Sequence, residues 1–354
     1  MKKLLRPLGL VLALGFLVLT FVNASWIAPS PRSYLKLVAH RGANQLYDRT
    51  NLGRDTCTAT RIEPPLHEYL ENTLPSMLAA SNNGAQMIEI DIALTKDGKI
   101  AVFHDRTLDC RTNGTGDTRD TTLAQLKALD AGYGYSADGG KTFPFRGKGV
   151  GLIPSLEEVL RVLPEKPILF NFKGRDPAEA DALAAALKAA GRAVETIGDG
   201  FYGNGPNIAR IRTHFPKAWV FSLDAAKACT AAYAWQGWFG VTPAACRNGT
   251  IMVPLNYQWA YAGWPNRLTA RMEAVGAKVV LAGPSDDALD FGAGPAGLYL
   301  PEQIRDVPSE FKGYLWVDDI YAVGPAVRPQ YGKRNPVAQQ RFEAAMDRRR
   351  KARE

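Results

Sequence analysis

Residues 87–105, MIEIDIALTKDGKIAVFHD, constrain this chain more than any other stretch. Glu89 and Asp91 stand two apart in an apolar, β-prone run, so in a strand both carboxylates project from one face. Taking such a pair out of water costs several kcal/mol per ion, so something positive must sit between them, either a divalent ion or a basic side chain. Thr95-Lys96-Asp97-Gly98 is a tight-turn sequence, and a turn that short joins only antiparallel strands. Residues 100–103 therefore return alongside and bring His104-Asp105 to the neighbourhood of the carboxylates. An acidic pair facing an imidazole across a hairpin suits hydrolytic chemistry.

Around this hairpin, apolar strand-like runs recur at 35–39, 87–91, 167–172, 193–197, 218–223, 251–254, 278–281 and 314–317, with helical patterns between several of them. Alternation of that kind predicts a parallel sheet covered by helices, and eight such strands close a (β/α)8 barrel with the hairpin inserted. Working residues in that fold sit at the C-terminal ends of strands, where His40, Arg41, Glu89, Asp91, Asn171 and Lys173 all fall. An open doubly wound sheet is disfavoured because no Gly-rich phosphate loop follows the first strand. Residues 43–68 form a long polar insertion, and a Gly- and aromatic-rich segment follows at 132–151; loops of such length are functional lids or disordered segments.

The formal charge of +8 sits at the ends. Lys2, Lys3 and Arg6 carry three of it and the stretch from Arg328 a net six, which leaves a nearly neutral body and excludes a nucleic-acid surface. Residues 8–27 have no charge and follow those three cations, the order of a signal peptide or membrane anchor, and Val22-Asn23-Ala24 resembles a cleavage site. Either way the body is expected outside the cytoplasm, periplasmic or secreted, with membrane contact through the N-terminal segment. The expected division is 1–27 as signal peptide or anchor, 28–327 as barrel with an insertion at 43–70, and 328–354 as a basic tail, with 341–354 a solvated helix. The four cysteines fit that address: none forms a C-x-x-C pair, three pairings are open, and Cys57–Cys110 with Cys229–Cys246 is the expected one because each would staple a long loop.

Glu89 and Asp91 supply hard oxygen ligands suited to one divalent cation, Mg²⁺ or Ca²⁺. Arg41 and Lys173 are cations entering the same mouth, which points to an anionic substrate. His40 and His104 each end an apolar strand, whereas His67 and His214 read as surface residues. Two cations, a metal and two imidazoles match phosphoryl chemistry, one histidine deprotonating the nucleophile and the other protonating the leaving oxygen. Trp235, Trp238, Tyr257, Trp259, Tyr261 and Trp264 crowd one region, as core or as a lipid- or choline-gripping rim.

The ordered set His40-Arg41-Gly42, Glu71-Asn72-Thr73, Gly84-Ala85, IEIDIALTKDGKIAVFHD and Pro154-Ser155-Leu156 resembles the glycerophosphodiester phosphodiesterase family, over residues 37–173. The sphingomyelinase D and phosphatidylinositol-specific phospholipase C-like phosphodiesterases are related. The resemblance implies a TIM barrel and metal-dependent cleavage of glycerophosphodiesters to sn-glycerol 3-phosphate and an alcohol, with the substrate's glycerol 2-hydroxyl able to attack first and give a cyclic phosphate. It also implies His40 and His104 as the acid–base pair, Arg41 and Lys173 as phosphate contacts, Glu71 as a substrate or supporting carboxylate, and Glu89, Asp91 and position 171 as metal ligands. Family members usually carry an acid where Asn171 stands, so weaker metal binding is expected. Two alternatives stay open: a phospholipase D-like or lysophospholipase D-like enzyme on membrane lipid, and a catalytically impaired phosphodiester-binding protein.

Overall fold

The computed structural model describes residues 2–351 apart from 30, 32–33, 54–55, 288 and 290–293. In chain order the elements are helix α1 (Lys2–Val22), strand β1 (Lys36–Ala39), α2 (Leu74–Asn82), β2 (Met87–Leu94), β3 (Ile100–Val102), α3 (Leu123–Ala128), α4 (Leu156–Val162), β4 (Ile168–Phe172), α5 (Pro177–Ala189) and α6 (Val194–Ile197). There follow β5 (Gly200–Gly203), α7 (Gly205–His214), β6 (Trp219–Ser222), α8 (Leu223–Gln236), β7 (Thr250–Pro254), α9 (Asn266–Ala274), β8 (Lys278–Ala282), β9 (Tyr314–Val317), α10 (Ile320–Val327) and α11 (Pro336–Lys351).

Eight strands run parallel in the order β6-β5-β4-β2-β1-β9-β8-β7, and β3 pairs antiparallel with β2, as the tight turn requires. The sheet curls into a nearly closed barrel. Its two outer strands, β6 and β7, are bridged by a side chain, the Trp219 indole N–H donating to Thr250 Oγ1 at 2.9 Å. Alternation along the strands sorts the residues. Leu37, Ile88, Ile90, Ile168 and Phe170 pack outward against the helices, while Val38, Met87, Leu169, Tyr202, Met252, Val280 and Trp316 fill the lumen. Glu89 and Asp91 share the parity of Met87, so they point inward among the lumen residues.

One expected strand is a helix. Residues 193–197 read as β because of Val194, Thr196 and Ile197, but α6 lies there, closed by Gly198 in the left-handed region at φ 88°. The strand is displaced to Gly200–Gly203, whose neighbours leave no room for side chains at its first and last positions. A Cβ on Gly200 would lie 2.9 Å from Leu169 Cδ1, and one on Gly203 would lie 2.8 Å from the Phe172 carbonyl oxygen. Glycine is the poorest strand former by propensity, so crowding from β4 chose the residues that hid the strand.

The insertion and the Gly-rich segment form one roof. Ala59, Ile62 and Leu70 pack with Tyr135 and Phe145, and the Cys57–Cys110 disulfide ties the insertion to the loop after β3. The second disulfide joins Cys229 of α8 to Cys246. The helix carrying the front of the site starts sharply: Thr73 caps α2 in a reciprocal capping box with Ser76, and Pro75 stands in its first turn.

Two surface expectations change. His67 is half-buried between Tyr69 and Tyr321, and burial lowers its imidazole to a pKa of about 4. The basic tail is a docked helix: α11 buries Ala345 and Met346, and Arg349 is 1% exposed, donating to Asp319 at 2.6 Å beside Glu63. Three consecutive arginines hide that docking in sequence because only the middle one turns inward. At the other end, Arg271 donates to the Val22 carbonyl and to Asn23 Oδ1, fastening the exit of α1 to the barrel. Among the described residues no helix is long and apolar enough to cross a membrane.

Candidate active site

His40 and Arg41 follow β1 directly, and the chain then turns through two left-handed residues, Arg41 at φ 62° and Gly42 at φ 78°. Gly42 is required there, since a Cβ would lie 2.6 Å from Ser76 Oγ. Arg41 has no such exemption, and its strained backbone is held by hydrogen bonds: its N–H donates to Glu89 Oε2 at 2.9 Å and its carbonyl accepts from the Asn72 N–H at 3.0 Å. The guanidinium then lies between acids, donating to Glu71 Oε1 at 3.0 Å with Nε 3.4 Å from Asp91 Oδ2. Burial opposes its charge, but Glu71 and Asp91 outweigh burial and hold Arg41 protonated. The protein itself thus supplies a positive group beside Asp91, while Glu89 meets Arg41 only at its backbone N–H.

Glu89 and Asp91 are fully buried, and their environments pull them apart. Burial, then the neighbouring Asp91, pushes Glu89 up, although Tyr202 donates to its Oε1 at 2.6 Å. Burial presses on Asp91 too, yet the Lys173 and Arg41 cations hold it low, helped by Asn72 donating to Oδ2 at 2.8 Å. Asn171, on the adjacent β4, donates its amide to Asp91 Oδ1 at 2.8 Å, and Lys173 Nζ lies 3.8 Å from the same oxygen.

Each imidazole has its own carboxylate. His40 Nδ1 is 2.8 Å from Asp318 Oδ1, just past the end of β9, and its ring packs on Trp316. Asp318 Oδ2 in turn accepts from the Gly297 N–H, and the Arg49 guanidinium lies 3.6 Å away. His104 Nδ1 is 2.6 Å from Asp105 Oδ1, and Lys173 Nζ reaches His104 Nε2 at 3.0 Å. Burial, then Arg41 and Lys173, drives the His104 imidazole well below its ordinary value, so it is neutral with Nε2 accepting from the ammonium.

Arg41, Glu71, Glu89, Asp91, His104, Asn171 and Lys173 therefore meet in one contact network around the C-terminal ends of β1, β2 and β4, and His40, the residue before Arg41, stands beside it with its ring on Asp318 and Trp316. Three groups that touch these residues carried no reading in the sequence. Asp318 follows an apolar run and obeys the same strand-end rule as His40, which could have found it. Tyr202 was lost with its misplaced strand. Arg111 lies in a loop with no period to betray it. Of the aromatics, Trp235, Trp238 and Trp259 are exposed, Tyr261 is buried, and Tyr257 and Trp264 are half-buried.

The sequence pattern of the family described as "Glycerophosphoryl diester phosphodiesterase family" matches residues 40–221, more than half of the chain and the whole of this site apart from Asp318. The chain belongs to that family. It is 42% identical over 103 residues to the glycerophosphodiester phosphodiesterase of Caldanaerobacter subterraneus, a stretch covering 29% of this chain and 39% of that protein. The Bacillus subtilis glycerophosphodiester phosphodiesterase is 45% identical over 93 residues, 25% of this chain and 30% of its own length. The chain thus spans well under half the length of these relatives. Among solved structures, a phosphodiesterase of Oleispira antarctica in complex with the product sn-glycerol-3-phosphate superposes with a TM-score of 0.52 at 18% identity, covering 86% of this chain and 99% of that one. At such identity the likeness is one of fold, and it agrees with the barrel described here.

The donor set fits one divalent cation. Glu89 and Asp91 offer two inward carboxylates, each oxygen holding one protein hydrogen bond and keeping a lone pair. Asn171 offers an amide oxygen once its amide turns from Asp91. Hard oxygens of this kind fit Mg²⁺ or Ca²⁺. Among the described residues no group of three or more His, Cys, Asp or Glu side chains could hold a metal ion, so the third ligand would have to be the amide.

Proposed function

We propose that this chain hydrolyses glycerophosphodiesters to sn-glycerol 3-phosphate and an alcohol. The observation that carries the reading is the pair of imidazoles, each backed by a carboxylate, with the Lys173 cation on one of them and Arg41 next in the chain to the other. Arg41 and Lys173 meet the phosphate charge and hold the diester in line. His104 takes the proton of the attacking hydroxyl on Nε2 once the Lys173 ammonium turns from that nitrogen to the phosphate. His40 gives a proton to the departing alcohol oxygen, and Asp318 stabilises positive charge on its ring. The family resemblance favours the glycerol 2-hydroxyl as first nucleophile: its oxygen bonds to phosphorus, the alcohol leaves, and water then opens the cyclic phosphate.

Glu89, Asp91 and the Asn171 amide oxygen would hold the divalent cation, which when bound neutralises phosphate charge. The two disulfides and the charge-then-apolar order of the N-terminus support a place outside the cytoplasm, with α1 as leader. A second reading, action on membrane lipid or lysolipid, is favoured by the exposed Trp235, Trp238 and Trp259.

The test is release of glycerol 3-phosphate from glycerophosphocholine by wild type and His40→Ala, with and without chelator. Loss of at least about 10²-fold in the variant is expected, the usual range for a removed acid or base. Equal rates in the two proteins would end the proposal, and turnover of vesicle lipid alone would favour the second reading.

A further inference from the structure

We propose that Arg111 is a positioning residue, aiming His104 and Arg41 from behind, and that the Cys57–Cys110 disulfide holds it in place. The inference rests on the reading of His104 as a reacting group. Arg111 is 3% exposed and cannot touch a substrate, yet it stands between the two carboxylates that orient the site. Its Nε lies 3.2 Å from Asp105 Oδ2, and the other oxygen of that carboxylate holds His104 Nδ1 at 2.6 Å. Its Nη2 lies 3.2 Å from Glu71 Oε1, the same oxygen that accepts from Arg41 at 3.0 Å. One buried guanidinium is therefore ion-paired to Asp105, which holds the ring of His104, and to Glu71, which holds Arg41.

The roof explains why this guanidinium stays put. Thr58, the residue after Cys57, accepts from Nη2 at 2.8 Å. The Gly134 N–H donates to the Arg111 carbonyl, and a Cβ on Gly134 would lie 1.9 Å from the Cys110 carbonyl oxygen, so the two backbones are in full contact. Tyr135 covers the guanidinium face at 5.7 Å. The disulfide closes this arrangement covalently, joining the insertion to the residue before Arg111 across 53 positions. Under it lies a cavity of about 10 Å³, lined by Glu71, His104, Arg111 and Tyr135, room for roughly one water. Without the guanidinium, the buried Glu71 and the half-buried Asp105 would be two carboxylates with no shared cation.

The experiment compares full-length wild type with Arg111→Met, Arg111→Lys and the double variant Cys57→Ser/Cys110→Ser, using kcat and KM on glycerophosphocholine and the nitrogen-15 shifts of the His104 ring. Cys229→Ser/Cys246→Ser, which removes the other disulfide and touches none of these groups, is the control. Arg111→Met should lower kcat/KM about 10²-fold, the cost of a reacting group misplaced by about an ångström, with kcat carrying most of it. Arg111→Lys should recover part, because an ammonium reaches one carboxylate at a time. His104 should change from a single Nδ1–H tautomer to a mixture in Arg111→Met and in the Cys57/Cys110 variant, and stay single in the control.

A folded Arg111→Met with wild-type kcat and an unchanged His104 spectrum would overturn the positioning role, whatever its melting temperature. Wild-type kcat in the Cys57/Cys110 variant would overturn the part given to the disulfide. Should wild type itself release no glycerol 3-phosphate, the functional reading fails alone, and the His104 spectrum of Arg111→Met still decides the positioning role.

Discussion

Asp318 decides how His40 can act. A carboxylate on Nδ1 leaves Nε2 toward the mouth and stabilises charge as it forms on the ring, so the geometry predicts that Asp318→Asn keeps the fold and loses about 10²–10⁴-fold in kcat/KM, by analogy with the aspartate of the serine protease triad. A loss below tenfold, measured on folded protein, would remove Asp318 from the mechanism. His104 sets the pH response. Burial, Arg41 and Lys173 hold its imidazole low, so a base that must be deprotonated is ready well below pH ~6.5, the ordinary histidine value. The acid limb of kcat/KM should therefore lie below that pH. Lys173→Met removes a cation that opposes ring protonation, so the limb should move to higher pH while the maximum falls; a pH profile that keeps its wild-type limb would show that Lys173 does not tune the ring.

At the scale of the element, β5 is the strand that packing imposed. Gly203 sits at φ 146° against the Phe172 carbonyl of β4, a place no side chain enters without moving one strand. Gly203→Ala should destabilise by about 1–3 kcal/mol in urea denaturation, through backbone strain and overpacking together. It should also lower activity, because the residue before it, Tyr202, carries the hydroxyl that binds Glu89. Unchanged stability would mean the strand has slack that the close approach denies. Where the fold was legible, local chemistry agreed with it: Thr73 caps α2, the Thr95–Gly98 turn reverses β2 into β3, and both predictions needed only neighbours in sequence. Residues 193–197 went astray because β-branched side chains signalled a strand that Gly198 closes as a helix, while the true strand begins and ends in glycine.

Across the whole molecule, the chain ends and the insertion fold back onto the barrel. Arg349 joins α11 to Asp319, itself the cap of α10, and to Glu63 of the insertion. Arg349→Met would leave Asp319 buried and uncompensated, an expected loss of about 3–5 kcal/mol by chemical denaturation; a smaller change than 1 kcal/mol would show that α11 is not part of the cooperative unit. The sequence by itself determined the parallel barrel, the hairpin that presents His104, and the strand ends at which His40, Arg41, Glu89, Asp91, Asn171 and Lys173 stand. Those follow from period, turn chemistry and spacing, which act between residues close in the chain. Only the tertiary structure decided that Asp318 backs His40 from 278 positions away, that Tyr202 satisfies Glu89 from 113, that Asn171 turns its amide to Asp91, and that Arg111 is shared by Glu71 and Asp105. Such pairings answer to the need of a buried charge for a partner, and no local pattern records where that partner will come from.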